Sequence, residues 1–182
     1  MKPKLLTPLL IISLLVLLQG CASPAQIGGM IEEKSRSVSN APQQLRSNIL
    51  VQSVTGGEST NPLWTSEIGS KEYQVALEQS LANAGLLGVT QNDNKYQLAV
   101  SMLQVDQPLV GFNLTVTAKV QYTLKETNSG SIVYSRFIIR PYTAVLSETI
   151  FLQKRLRKAN EGAARENIKA FIDQLYSLNL TD

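Results

Sequence analysis

The sequence predicts an α+β domain: an antiparallel sheet of about four strands with two helices packed on one face, in the order β-α-β-β-β-α. Three observations predict it. From Asn113 to Glu126, Leu114, Val116, Ala118, Val120, Tyr122 and Leu124 alternate with Thr115, Thr117, Lys119, Gln121, Thr123 and Lys125, the period of a strand with one wet face. Asn128-Ser129-Gly130 then turns the chain into a second β-prone run, Ser131 to Ile139, which makes a hairpin. Two other stretches space their apolar residues by three and four, the period of helices lying over a sheet.

Taken in order, the chain opens with Lys2 and Lys4 and an apolar run from Leu5 to Leu18, broken by Thr7, Pro8 and Ser13. That run is shorter than the roughly 20 apolar residues a transmembrane helix needs, so residues 1–20 are expected to be a cleaved signal. Residues 21–47 carry Ser, Gln, Asn, Gly and Pro, with Ile27, Met30, Ile31, Val38 and Leu45 scattered among them. They are expected to be a flexible tether for a single domain spanning residues 48–182. Asn48 to Val54 is the first strand, ended by Thr55-Gly56-Gly57, and a loop leads to Trp64, expected to lie as a lid on the core.

From Ser70, an expected cap, to Leu87, the residues Tyr73, Ala76, Leu77, Leu81 and Ala84 mark one apolar helical face. Lys95 to Val105 is a partly alternating strand. The link Asp106 to Phe112 exposes apolar residues where a loop is normally polar; it is either a partner-facing loop or, as expected, a widened turn whose Leu109 and Phe112 fold back on the core. After the hairpin, Ser147 to Leu178 carries the stripe Leu156, Ala159, Ala163, Asn167, Ile168, Phe171, Ile172 and Leu175. Small residues at Ala159, Gly162, Ala163 and Ala164 allow close approach to a sheet, and either one helix or two pieces broken near Gly162 fit the pattern.

Composition narrows the chemistry. The chain has 17 basic and 14 acidic residues among 182, one cysteine and no histidine. Removing residues 1–20 takes away Lys2 and Lys4 and no acid, so the mature chain is near +1 and makes no general argument for nucleic acid. Without histidine, Ser-His-Asp, Cys-His and His-metal chemistry within this chain are excluded. Asp93, Asp106 and Glu126 lack the spacing of an oxygen-ligand loop and are expected in turns, so neither a metal nor a cofactor is expected. Lys154, Arg155, Arg157 and Lys158 form the one concentrated cation cluster. They are expected to surround the helix as a solvated face, with Arg157 and Lys158 pairing with Glu161, and are the candidates for contact with lipid phosphate or an acidic partner.

Leu18-Gln19-Gly20-Cys21 resembles the bacterial lipobox, matching it at Leu18, Gly20 and Cys21. The resemblance implies diacylglycerol on the Cys21 thiol and a third acyl chain on its amino group. With Ala22 and Ser23 following, and no Asp of the inner-membrane retention signal, it implies the periplasmic face of the outer membrane. Thr60-Asn61-Pro62-Leu63-Trp64, Leu77-Glu78-Gln79-Ser80-Leu81 and the stretch from Arg155 to Ile168 resemble a family of small uncharacterised proteobacterial lipoproteins. Some members bear an acyltransferase label of the sugar-nucleotide type, a chemistry that typically uses hexapeptide repeats and a His base, and this sequence has neither. The order of anchor, strand, helix, strands and final helix is similar to auxiliary lipoproteins of envelope transport machines. The expected function is therefore a non-enzymatic accessory or adaptor lipoprotein with an envelope protein partner, the alternative being a periplasmic module that binds a small or lipidic ligand.

Overall fold

A computed structural model describes residues 23–33, 38–60, 66–88, 94–108 and 110–180. The signal stretch with Cys21, Trp64, Asp93 and Leu109 lie outside these residues. The chain order is α1 (Ile27–Met30), β1 (Ile49–Thr55), α2 (Ser70–Asn83), β2 (Tyr96–Asp106), β3 (Leu114–Glu126), β4 (Ile132–Ala144) and α3 (Leu152–Tyr176), with short 3-10 turns at Val38–Asn40 and Leu146–Glu148. The four strands form one sheet in the order β1-β2-β3-β4.

The α+β class holds, but the sheet is mixed: β1 pairs parallel to β2, while β2, β3 and β4 pair antiparallel. The physical reason lies in the connection. α2 covers a face and carries the chain back to the end where β1 began, so β2 must start beside the start of β1. The element order also differs from the expected one, because the short helix α1 precedes β1.

Each inward residue of the alternating β3 run, from Leu114 to Leu124, is fully buried, as the period requires. The hairpin register pairs Leu114 with Ala144 and Tyr122 with Arg136, so β4 runs five residues beyond the expected Ile139. Its apolar residues divide between faces. Tyr134, Ile138 and Ala144 are buried under α3, whereas Ile132, Phe137 and Ile139 are exposed.

α2 begins at Ser70 as expected, yet the Ser70 hydroxyl does not cap it; Ser70 Oγ instead accepts the Gly57 N–H at 2.8 Å. The final helix is one piece of 25 residues, starting at Leu152 rather than Ser147. Gly162 explains its continuity and its place: a Cβ there would stand 2.2 Å from the Tyr142 ring. The missing side chain lets α3 lie close on the sheet, which offsets the roughly 1 kcal/mol that glycine costs within a helix.

A buried polar chain joins the two helices to the sheet. Tyr122 donates to Asn167 Oδ1 at 2.9 Å, the Tyr73 and Tyr122 hydroxyls bond each other, and Asn167 Nδ2 donates to the carbonyls of Ala118 and Ile138. The Tyr122 ring stacks on Phe171 at 4.1 Å. Burial pushes both tyrosine hydroxyls well above their ordinary value of about 10. Folding therefore favours their protonated form, and the stability they contribute is complete below about pH 10 and declines as the pH rises beyond it.

With Tyr122 donating to Asn167, Tyr73 must donate to Tyr122, so the two hydroxyls are not equivalent. Tyr122→Phe strands two buried partners and is expected to cost about 1–3 kcal/mol, whereas Tyr73→Phe leaves the Tyr122–Asn167 bond intact and costs less. Urea unfolding at neutral pH checks the order; equal losses would contradict this donor assignment.

Candidate functional site

The informative region is the end of the molecule where the chain enters the fold. Here the expected flexible tether does not appear among the described residues: the segment from Ser23 to Glu33 lies between α2 and α3, and Val38 to Ser47 continues along the domain. Ala25, Met30, Ala41 and Leu45 are buried in the main core. Backbone groups of the segment are met one after another. The Ala25 N–H donates to the Glu67 carbonyl at 3.0 Å, the Gln26 N–H to Glu161 Oε1 at 2.9 Å, and the Glu32 N–H to Ser80 Oγ at 3.0 Å. These bonds and buried apolar side chains are what a packed element needs and what a solvated linker lacks.

α3 supplies the receiving surface through residues spaced four apart. Arg157 Nη1 donates to Ser23 Oγ at 2.9 Å, Glu161 accepts from Gln26, and Arg165 Nη1 donates to the Gly29 carbonyl at 2.7 Å. That spacing puts the three side chains on one helix face. Gly29 must be small there, because a Cβ would stand 2.4 Å from the Glu161 carboxylate. Asn160 Nδ2 donates to the Ser66 carbonyl at 2.6 Å, and Ser66 Oγ donates to the Ser23 carbonyl at 2.7 Å, closing the same junction from the other side.

The four candidate cations therefore do different jobs. Arg155 is buried, donating to the carbonyls of Thr149 at 2.8 Å and Gly111 at 3.0 Å, so it clamps two loops together and is not open to a partner. Arg157 pairs with Glu161 at 3.4 Å, as its spacing predicts, besides holding Ser23. Lys158 meets Glu148 at 3.4 Å instead of the expected Glu161. Lys154 is exposed, its amine 5.0 Å from the centre of the Phe151 ring. The sequence reading missed Glu161 and Arg165 as contacts for the N-terminal segment, although their four-residue spacing from Arg157 was a visible signal.

The β2–β3 link departs from expectation too. Phe112 does not fold back on the core: it is 81% exposed, and Val110 is 79% exposed. The Asp106 carboxylate accepts from Gln104 and that of Glu126 from Ser129 in the hairpin turn, so each serves its own loop or strand end. Elsewhere, an open cleft of about 530 Å³ lies between β4 and the C-terminal half of α3, lined among others by Arg136, Arg140, Glu166, Lys169 and Asp173. At its wall Tyr134 donates to Gln174 Oε1, and burial raises the Tyr134 hydroxyl above its ordinary range while Arg136 pulls it the other way. Among the described residues, no group of three or more Cys, Asp or Glu side chains is placed to hold a metal ion, and no helix is long and apolar enough to cross a membrane.

No family model and no curated protein matches the chain. Solved structures do. A protein from Xanthomonas campestris carrying the family designation DUF330 is 12% identical, with a TM-score of 0.53, covering 87% of this chain and 98% of its own. A hypothetical protein from Chlamydia trachomatis is 9% identical, with a TM-score of 0.53, covering 71% of this chain and 95% of its own. A minor lipoprotein from Acinetobacter baumannii is 13% identical, with a TM-score of 0.47 over 73% of this chain and 93% of its own. At these identities the first two establish a shared fold and nothing further.

The docked segment generates a stability prediction. Met30 is fully buried, so Met30→Ala is expected to lower the unfolding free energy by about 2–5 kcal/mol. A change within about 0.5 kcal/mol, the behaviour of a solvated linker, would contradict the packing; urea unfolding measures it.

Proposed function

We propose that this chain is a non-enzymatic lipoprotein, held on the periplasmic face of the outer membrane by acyl chains on Cys21, and that it works as an accessory or adaptor in an envelope assembly or transport complex. The observation that carries the reading is Leu18-Gln19-Gly20-Cys21 at the end of an apolar run, followed two residues later by a segment seated on the domain. A single acyl chain binds membranes only marginally, whereas two or three make attachment effectively permanent. Permanent attachment with a short connection keeps the domain at the bilayer and raises its effective concentration for a membrane-bound partner.

One observation favours a second reading, a periplasmic binding module. The cleft between β4 and α3 gathers Arg136, Arg140 and Lys169 beside Glu166 and Asp173, which suits a small polar ligand more than a lipid. The space between sheet and helices is filled by Tyr73, Tyr122 and Phe171, each fully buried, so it offers an acyl chain no room.

Cys21→Ser is expected to abolish incorporation of labelled palmitate and release the protein from membranes. Palmitate incorporation equal to the wild type would overturn the anchor. Crosslinking in intact envelopes followed by affinity purification is expected to recover a discrete envelope protein; repeated recovery of none would overturn the adaptor role.

A further inference from the structure

If Cys21 carries the anchor, the N-terminal junction limits how far the domain can stand from the membrane. Ser23 is held by Ser66 and Arg157 at the end of the molecule where β2 and β4 finish and α3 begins. One residue, Ala22, separates Ser23 from Cys21, so the two are within about 7 Å of each other along the chain. Arg157 stands six residues beyond Phe151 on α3, about 9 Å along the axis. The two lengths are comparable, so Cys21 has the reach to come level with the start of α3.

That same end presents a cluster of apolar side chains on the two loops beside it. Val110 and Phe112 come from the β2–β3 link, and Ile150 and Phe151, 76% and 53% exposed, from the segment before α3. The loops are braced. Buried Arg155 bonds the carbonyls of both Gly111 and Thr149, and the Leu146 N–H donates to Asn113 Oδ1 at 3.4 Å. A single guanidinium thus ties the two tips into one surface, with its apolar side chains turned outward.

A cation stands beside these apolar side chains. Lys154 lies over the Phe151 ring, so its stem can follow the ring while the amine stays at headgroup height. Lys158 is also at the rim, paired with Glu148; the nearby acids Asp106 and Glu67 accept from Gln104 and Gln107 respectively. A helix of another protein interposed here would need about 10 Å of thickness, more than the reach that Cys21 provides.

We propose that this end of the domain, through Val110, Phe112, Ile150 and Phe151 with Lys154 at the rim, inserts into the interfacial layer of the phospholipid bilayer that carries the anchor. The inference rests on the anchored-lipoprotein reading and extends it: the domain does not swing on its anchor but stands on the membrane in one orientation, with the β3–β4 hairpin turn pointing away. Apolar side chains at such depths enter about 5–10 Å into the headgroup and acyl boundary.

The test uses the full acylated chain in vesicles of phosphatidylethanolamine and phosphatidylglycerol, part of them with brominated acyl chains. A polarity-sensitive fluorophore is placed on Val110→Cys, on Phe151→Cys, or on Ser129→Cys in the distal turn. Flotation with the vesicles checks the anchor first, and failure to float would overturn the anchoring premise itself. In floated protein, the probes at 110 and 151 are expected to shift to the blue and be quenched by bromine, while the probe at 129 stays in water. Equal, water-like emission at all three positions in floated protein would overturn the insertion and leave the anchor standing. A blue shift at 110 in the vesicle-free Cys21→Ser chain that grows with protein concentration would assign the patch to a second copy and also overturn it. As an independent readout, residual vesicle binding of the Cys21→Ser chain is expected to fall about tenfold on adding Phe112→Ser and Phe151→Ser; an unchanged value would count against the proposal.

Discussion

The N-terminal segment folds around one carboxylate. Glu161 is nearly buried in the middle of α3, where it accepts the Gln26 N–H and faces Arg157, with Gly29 pressed against it. A buried carboxylate is costly unless it is met, and here the Arg157 guanidinium and the Gln26 N–H both approach Oε1. About 100° round the same helix, Gly162 lies close against the Tyr142 ring. α3 is therefore held on two faces at one level. The sheet receives its small residues, and the incoming chain receives its charges.

The stretch from Arg155 to Ile168 gains a physical account from this arrangement. Arg155 braces the loops, Arg157 holds Ser23, Asn160 holds the Ser66 carbonyl, Glu161 and Arg165 hold the N-terminal segment, and Asn167 completes the buried hydroxyl chain. These are binding roles directed at the protein's own backbone and side chains. In one helix they link the sheet, the two loops beside its start and the chain leading to Cys21.

Much of the fold was legible because β3 keeps strict alternation over eleven residues and the Asn128-Ser129-Gly130 turn sets its partner. The parallel start of the sheet was legible in principle, since a strand, a helix and a strand imply it, but the strength of the hairpin signal drew the whole sheet toward antiparallel. The docked segment was hidden for a different reason. Ala25, Met30, Ala41 and Leu45 follow neither period, and their neighbours are the small polar residues of a linker. What buries them is a surface built by α2 and α3, with the Gln26–Glu161 contact 135 residues apart in sequence. Phe112 shows the same limit in reverse. Its apolar character was plain, but whether a loop residue turns inward depends on the Arg155 clamp, and a guanidinium in a basic run reads from sequence as solvated.

Residues 23–33 belong to the folded domain, so the proposed anchor on Cys21 would be a short one. Native-state hydrogen exchange on the amides of Ala25, Gln26 and Glu32 tests it most directly, because each donates to a partner elsewhere in the domain. Protection comparable to that of α2, lost only when the domain opens, is the expected result. Exchange at the rate of an unstructured peptide, with α2 still protected, would show that the segment is a free tether and would contradict it.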